Sequence, residues 1–75
     1  MNKDLFYSKA ALNGDRTTKC IANKLGTSKE TTLNKLNGTT RWTIEDIAKL
    51  VFAWNLSAQD VYDIWFKERV NSEGE

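Results

Sequence analysis

The sequence predicts an all-α domain of five short, compactly packed helices. Three observations carry that prediction. No stretch alternates apolar and polar residues over five positions, so no strand is indicated. The chain has no proline, and its strongest breaks, Asn13-Gly14, Gly26 and Asn37-Gly38, separate segments of helical period. Most of those segments open on a residue able to cap a helix N-terminus.

The first helix is expected over about residues 3–12, with Leu5 and Leu12 two turns apart and Phe6 near Ala10. Thr17 caps the second, which runs to Lys24 or Leu25 and carries Ile21, Ala22 and Leu25 as one apolar stripe. Thr27-Ser28 opens the third, Lys29 to Leu36, with Glu30 near the positive end of its dipole. The fourth begins at Thr43-Ile44-Glu45-Asp46, a hydroxyl followed three residues later by an acid, and repeats Ile47, Leu50, Val51 and Trp54. Ser57 to Asp60 opens the fifth in the same way, with Val61, Ile64 and Trp65 beneath and Tyr62 and Phe66 flanking. One domain over 1–66 and a polar, frayed tail over 67–75 follow.

Composition narrows the chemistry. The 75 residues hold eight aromatics, three of them Trp, enough for a core but not for a core and a deep substrate cavity. There is no histidine and only one cysteine, Cys20, which reads as a small inert residue. The usual general base and the commonest metal ligand are therefore missing, and no catalytic constellation, metal site or cofactor is expected. With no secretion signal, lipidation motif or apolar span in the sequence, an intracellular location without membrane attachment is expected.

The net charge of +1 conceals an asymmetry. Residues 1–42 carry eight Lys and Arg against three Asp and Glu, net +5; residues 43–75 carry three against seven, net −4. A basic first half suits an anionic partner, although solvated lysines on ordinary helices give the same count.

Two short helices joined by a glycine turn, the second of them polar, form a helix-turn-helix over about residues 17–38. Ala22 is small where the helices cross, and Gly26, four residues later, lets the backbone reverse. The run Thr17 to Gly38 resembles the Cro/CI (XRE-type) repressor superfamily. Lys35-Leu36-Asn37-Gly38 followed by Trp42-Thr43 is similar to a phage Cro-like branch of it, and the resemblance spans roughly residues 5–66. Two positions depart from the family pattern: Thr18 stands where Gln is common, and Thr32 where Val, Ile or Phe is common. Leu33 follows one residue later, which leaves two registers open. Either the third helix is turned so that Leu33 is core, or Thr32 is half-buried and Leu33 faces outward. A leucine at helical spacing favours the core over contact with a thymine methyl.

The resemblance implies a lambda-repressor-like fold and a sequence-specific transcriptional regulator acting on double-stranded operator DNA in a bacterial cell, at the nucleoid. It implies that Lys29, Glu30 and Asn34 face base edges: lysine donates to guanine, asparagine pairs with adenine, and glutamate accepts from cytosine. Lys29 equally suits a phosphate, and Glu30 a plain first-turn acid. Thr17, Thr18, Ser28, Asn37 and Arg41 are the phosphate candidates. Trp42 reads as a hydrophobic staple ahead of the Thr43 cap rather than a base-stacking platform. A weak homodimer on DNA and a partner repressor protein are further expectations. At 75 residues, no additional domain of the kind larger repressors carry is expected. The alternative is a protein-interaction module, an antirepressor or modulator of repression, using Tyr62, Trp65 and Phe66 as its partner surface.

Overall fold

Asn2 starts the first helix, α1 (Lys3–Leu12), by accepting the amide of Leu5 on its side chain at 3.1 Å. The computed structural model describes residues 1–67, and among these there are five helices and no strand. α1 turns Phe6 and Ala10 inward. Leu5 and Leu12 lie on a line roughly 100° around the helix from Phe6. Leu5 is accordingly half-buried, and Leu12, two turns further on, is exposed.

In α2 (Thr18–Leu25) the hydroxyl of Thr17 accepts the Cys20 amide at 3.2 Å, and Ile21, Ala22 and Leu25 are buried as a single stripe. Gly26 ends α2 in the left-handed region, φ +69°. A Cβ there would meet nothing nearer than Lys49 Nζ at 4.0 Å, so the requirement for glycine is conformational, not steric. Gly26→Ala is expected to cost roughly 1 kcal/mol in urea unfolding, the penalty of a left-handed alanine, with the helices otherwise retained in circular dichroism.

Ser28 caps α3 (Lys29–Leu36), Thr43 caps α4 (Ile44–Trp54), and Ser57 caps α5 (Ala58–Val61). The last two are reciprocal capping boxes with Asp46 and Asp60. Asn55, at φ 52°, ends α4, a conformation asparagine tolerates better than most residues. Beyond α5 the chain does not continue as the regular helix its spacing predicts. Tyr62–Phe66 widen into a π-helical turn, with Lys67 N–H donating back to the Tyr62 carbonyl. This stretch is pinned to the start of the chain, where the Asn2 amide donates to the Ile64 carbonyl at 2.7 Å. Lys9 and Asp60 add an ion pair at 3.3 Å between α1 and α5. The Ser57 amide, outweighing slight desolvation and joined by Lys9 and the Ser57 hydroxyl, holds the Asp60 carboxyl below its ordinary 3.8.

Phe6 is the centre of the core. Its ring lies 5.2 Å from Trp54, 5.6 Å from Trp42 and 6.1 Å from Trp65, mostly edge to face. Trp42 also packs against Trp65 at 5.5 Å, so it belongs to the core margin, as a staple would, rather than to a stacking platform. Trp65 is only 7% exposed and lies beneath the helix, as its spacing predicts, which removes it from the alternative partner face; Tyr62 and Phe66 are exposed. The tail expected over 67–75 falls, from Glu68 onward, outside the described residues.

Candidate nucleic-acid interface

The phase of α3 decides which side chains it offers to solvent. The Ser28 hydroxyl accepts the Thr31 amide at 3.1 Å, and the Thr32 hydroxyl donates to the Ser28 carbonyl at 2.9 Å. Together these bonds lock the first turn. Thr32 is 0% exposed, its one polar group satisfied within the helix, while Leu33 is 38% exposed. Leu33 therefore does not pack in the core, contrary to the preference of its residue type. Thr32 takes the core position instead, beside Lys35 and Leu36.

The opposite side of α3 carries Lys29, Glu30, Leu33, Asn34 and Asn37. At 100° per residue these fall within an arc of roughly 140°. Lys29, Glu30, Leu33 and Asn37 are exposed and Asn34 is half-buried. Among the described residues, the side chains of Lys29, Glu30, Asn34 and Asn37 make no hydrogen bond or ion pair. The three residues expected to face base edges thus share one surface, with their polar atoms uncommitted. For Glu30, its place in the first turn of α3 also fits the plain role of an acid at the positive dipole end.

The phosphate candidates are less alike. Thr17 and Ser28 spend an acceptor on capping, and the Ser28 hydroxyl donates to Thr31 Oγ1 at 2.9 Å. Thr18 is the half-buried first residue of α2, its hydroxyl without a partner among the described residues. Asn37 ends α3, its backbone amide donating to the Leu33 carbonyl, and its side-chain carboxamide has no partner among the described residues. Arg41 is exposed in the segment between α3 and α4. The amides of Thr39 and Thr40 both donate to the Asn34 carbonyl, at 2.9 and 3.1 Å, folding that segment back against α3.

Lys35 is the one cation of α3 withdrawn from the surface. Its ammonium donates to Asp46 Oδ2 at 2.6 Å and to the Arg41 carbonyl at 3.1 Å, and both side chains are largely buried. Burial would raise the Asp46 carboxyl. The Lys35 ammonium and the Thr43 amide and hydroxyl, which all bond to the box, outweigh it and hold the carboxyl below 3.8. This pair fastens α3 to the start of α4 and fixes the backbone that presents Arg41. A second buried contact, Trp54 Nε1 donating to Asp15 Oδ2 at 2.7 Å, holds the segment before α2 against α4.

Sequence reasoning missed both contacts. Asp46 had a sufficient explanation as a cap, and Lys35 counted among the basic charges. The signal for Lys35 was its phase: it falls with Thr32 and Leu36, not with Lys29. The exposed cations around the motif are then Arg16, Lys19, Lys24, Lys29 and Arg41, with Glu30 the exposed acid among residues 15–42. Asp15 is buried against Trp54, so it scarcely offsets them at the surface.

Among the described residues no cluster of His, Cys, Asp and Glu could hold a metal ion, and no helix is long and apolar enough to cross a membrane. No protein-family model matches the chain, and neither does any curated protein or solved structure.

Proposed function

We propose that the chain is a sequence-specific double-stranded DNA-binding regulator of the Cro type, of phage or prophage origin, acting by promoter occlusion at the nucleoid of a bacterial host. α3 enters the major groove. Asn34 reads adenine, Lys29 reads guanine or holds a phosphate, and Glu30 accepts from cytosine or rejects wrong sites by repulsion. The amide ends of α2 and α3, with Thr17, Thr18, Ser28, Asn37 and Arg41, position the domain on the backbone. Two copies on successive major grooves, or one copy beside a partner repressor, complete the site. The observation that carries this reading is the outward arc of α3: it gathers uncommitted donors and acceptors on a helix that a glycine turn projects beside α2.

The test is a gel-shift titration against the DNA flanking the protein's own gene, at low and at physiological salt. Binding is expected at low salt and weakens steeply as salt rises, because phosphate contacts release counterions. Lys29→Ala and Asn34→Ala are each expected to lose about tenfold in affinity, since a good base contact carries ~1–3 kcal/mol, without loss of helicity. Folded protein that shifts no duplex at low salt contradicts the proposal.

One observation favours a second reading, a protein-interaction module that modulates another repressor. Ile44 and Phe52 are 86% and 92% exposed. They border an apolar groove of about 480 Å³ between α4 and the last helix, floored by Ile47, Ala48, Val51 and Val61 and closed by Phe66. Such a face suits a protein partner, and it replaces the buried Trp65 in the partner surface read from sequence.

A further inference from the structure

Thr32 and Leu33 invert the usual order of burial. A threonine at 0% exposure sits beneath a leucine at 38%, although exchanging the two would place the larger apolar side chain in the core. The helix phase does not drift to correct this, because the Ser28 cap and the bond from the Thr32 hydroxyl to the Ser28 carbonyl hold it. A local choice that works against the burial of apolar surface is expected chiefly where function makes a demand. Leu33 lies one turn from Lys29 on one side and one turn from Asn37 on the other, with Asn34 adjacent. It is the apolar member of an otherwise polar arc.

We infer that Leu33 is a specificity-determining residue that reads the C5-methyl group of a thymine. This rests on the proposed entry of α3 into the major groove. There the base edges offer hydrogen-bonding groups almost throughout, and the thymine methyl is the apolar group a leucine can cover. A leucine facing any other base edge strips water from polar atoms and returns nothing, so it discriminates against those bases as well as for thymine.

The experiment selects a preferred duplex from random sequence with the whole 75-residue chain, then replaces each thymine in turn by deoxyuridine, which removes only the methyl. Binding of the wild-type protein and of Leu33→Ala is measured by fluorescence anisotropy, with circular dichroism confirming that the variant is folded. One thymine, or one symmetric pair, is expected to lose about fourfold per site in the wild type, the equivalent of one methyl withdrawn from water. In Leu33→Ala the same replacement is expected to have no effect. Selective binding in which no deoxyuridine weakens the wild type, or weakens both proteins equally, overturns the inference while leaving DNA binding standing. Failure of the wild type to bind any duplex at low salt removes both.

Discussion

Replacing Phe6 with alanine is expected to remove about 3–5 kcal/mol of stability, the cost of truncating a buried aromatic residue without refilling its space. Phe6 is fully buried and meets the rings of Trp42, Trp54 and Trp65, which reach it from the segment before α4, from α4 itself and from the last helix. Phe6 is the ring of α1 that meets all three tryptophans, and these rings cannot collapse together without moving the segments that carry them. In a domain of this size the loss is comparable to the whole stability. Urea unfolding followed by tryptophan fluorescence is expected to show a collapsed midpoint or a chain unfolded in buffer. A loss below about 1 kcal/mol would mean that the aromatic cluster is not the core's organising feature.

Asp46→Ala is expected to cost about 3 kcal/mol, because it leaves the Lys35 ammonium largely buried and opposite no charge, and removes half of the Thr43 capping box. Lys35→Met is expected to cost less, since methionine fills the volume of the lysine stem and Asp46 keeps its bond from the Thr43 amide at 3.0 Å. Adding Lys35→Met to Asp46→Ala is expected to recover part of the loss by removing the stranded charge, a non-additivity that a double-mutant cycle measures. The pH dependence has a definite sign. The folded Asp46 carboxyl titrates below its ordinary 3.8, so its contribution is complete well above that value and is lost as pH falls through 3.8 and the lower folded value. Urea midpoints between about pH 2 and pH 6 are expected to fall more steeply on the acid side for the wild type than for Asp46→Ala. Some acid dependence remains in the variant, because Asp60 is displaced in the same direction.

Helix positions were legible in the sequence because their signals are local. Asn13, Gly26 and Asn37 stop α1, α2 and α3, and Thr17, Ser28, Thr43 and Ser57 start α2, α3, α4 and α5, all within a residue of the structure. Long-range pairings were not legible. Asp46 satisfies a local capping rule and a tertiary ion pair with the same oxygen, and only the rule is visible in sequence. The register of α3 was open for a related reason: residue type favours Leu33 inside, and the bond from Thr32 to the Ser28 carbonyl decides otherwise. The π-helical turn at Tyr62–Phe66 has no composition signal, since Val61, Ile64 and Trp65 fit an ordinary helix equally well. The outward set Lys29, Glu30 and Asn34 followed from the family resemblance, and the phase of α3 places all three on one arc. Helical spacing put Trp65 beneath the last helix, where it lies, and only its place in the alternative partner surface disagrees with its depth.

Under the proposed function the outward arc of α3, rather than the apolar face of α4 and the last helix, is the working surface. The most direct measurement is a titration of the isotopically labelled protein with its selected duplex, followed through backbone amide NMR shifts. The largest changes are expected to cluster at Thr17–Thr18, from Ser28 to Asn37 and at Arg41, and to fade as salt rises. Changes centred instead on Ile44, Phe52 and Phe66, or none at low salt, would contradict it.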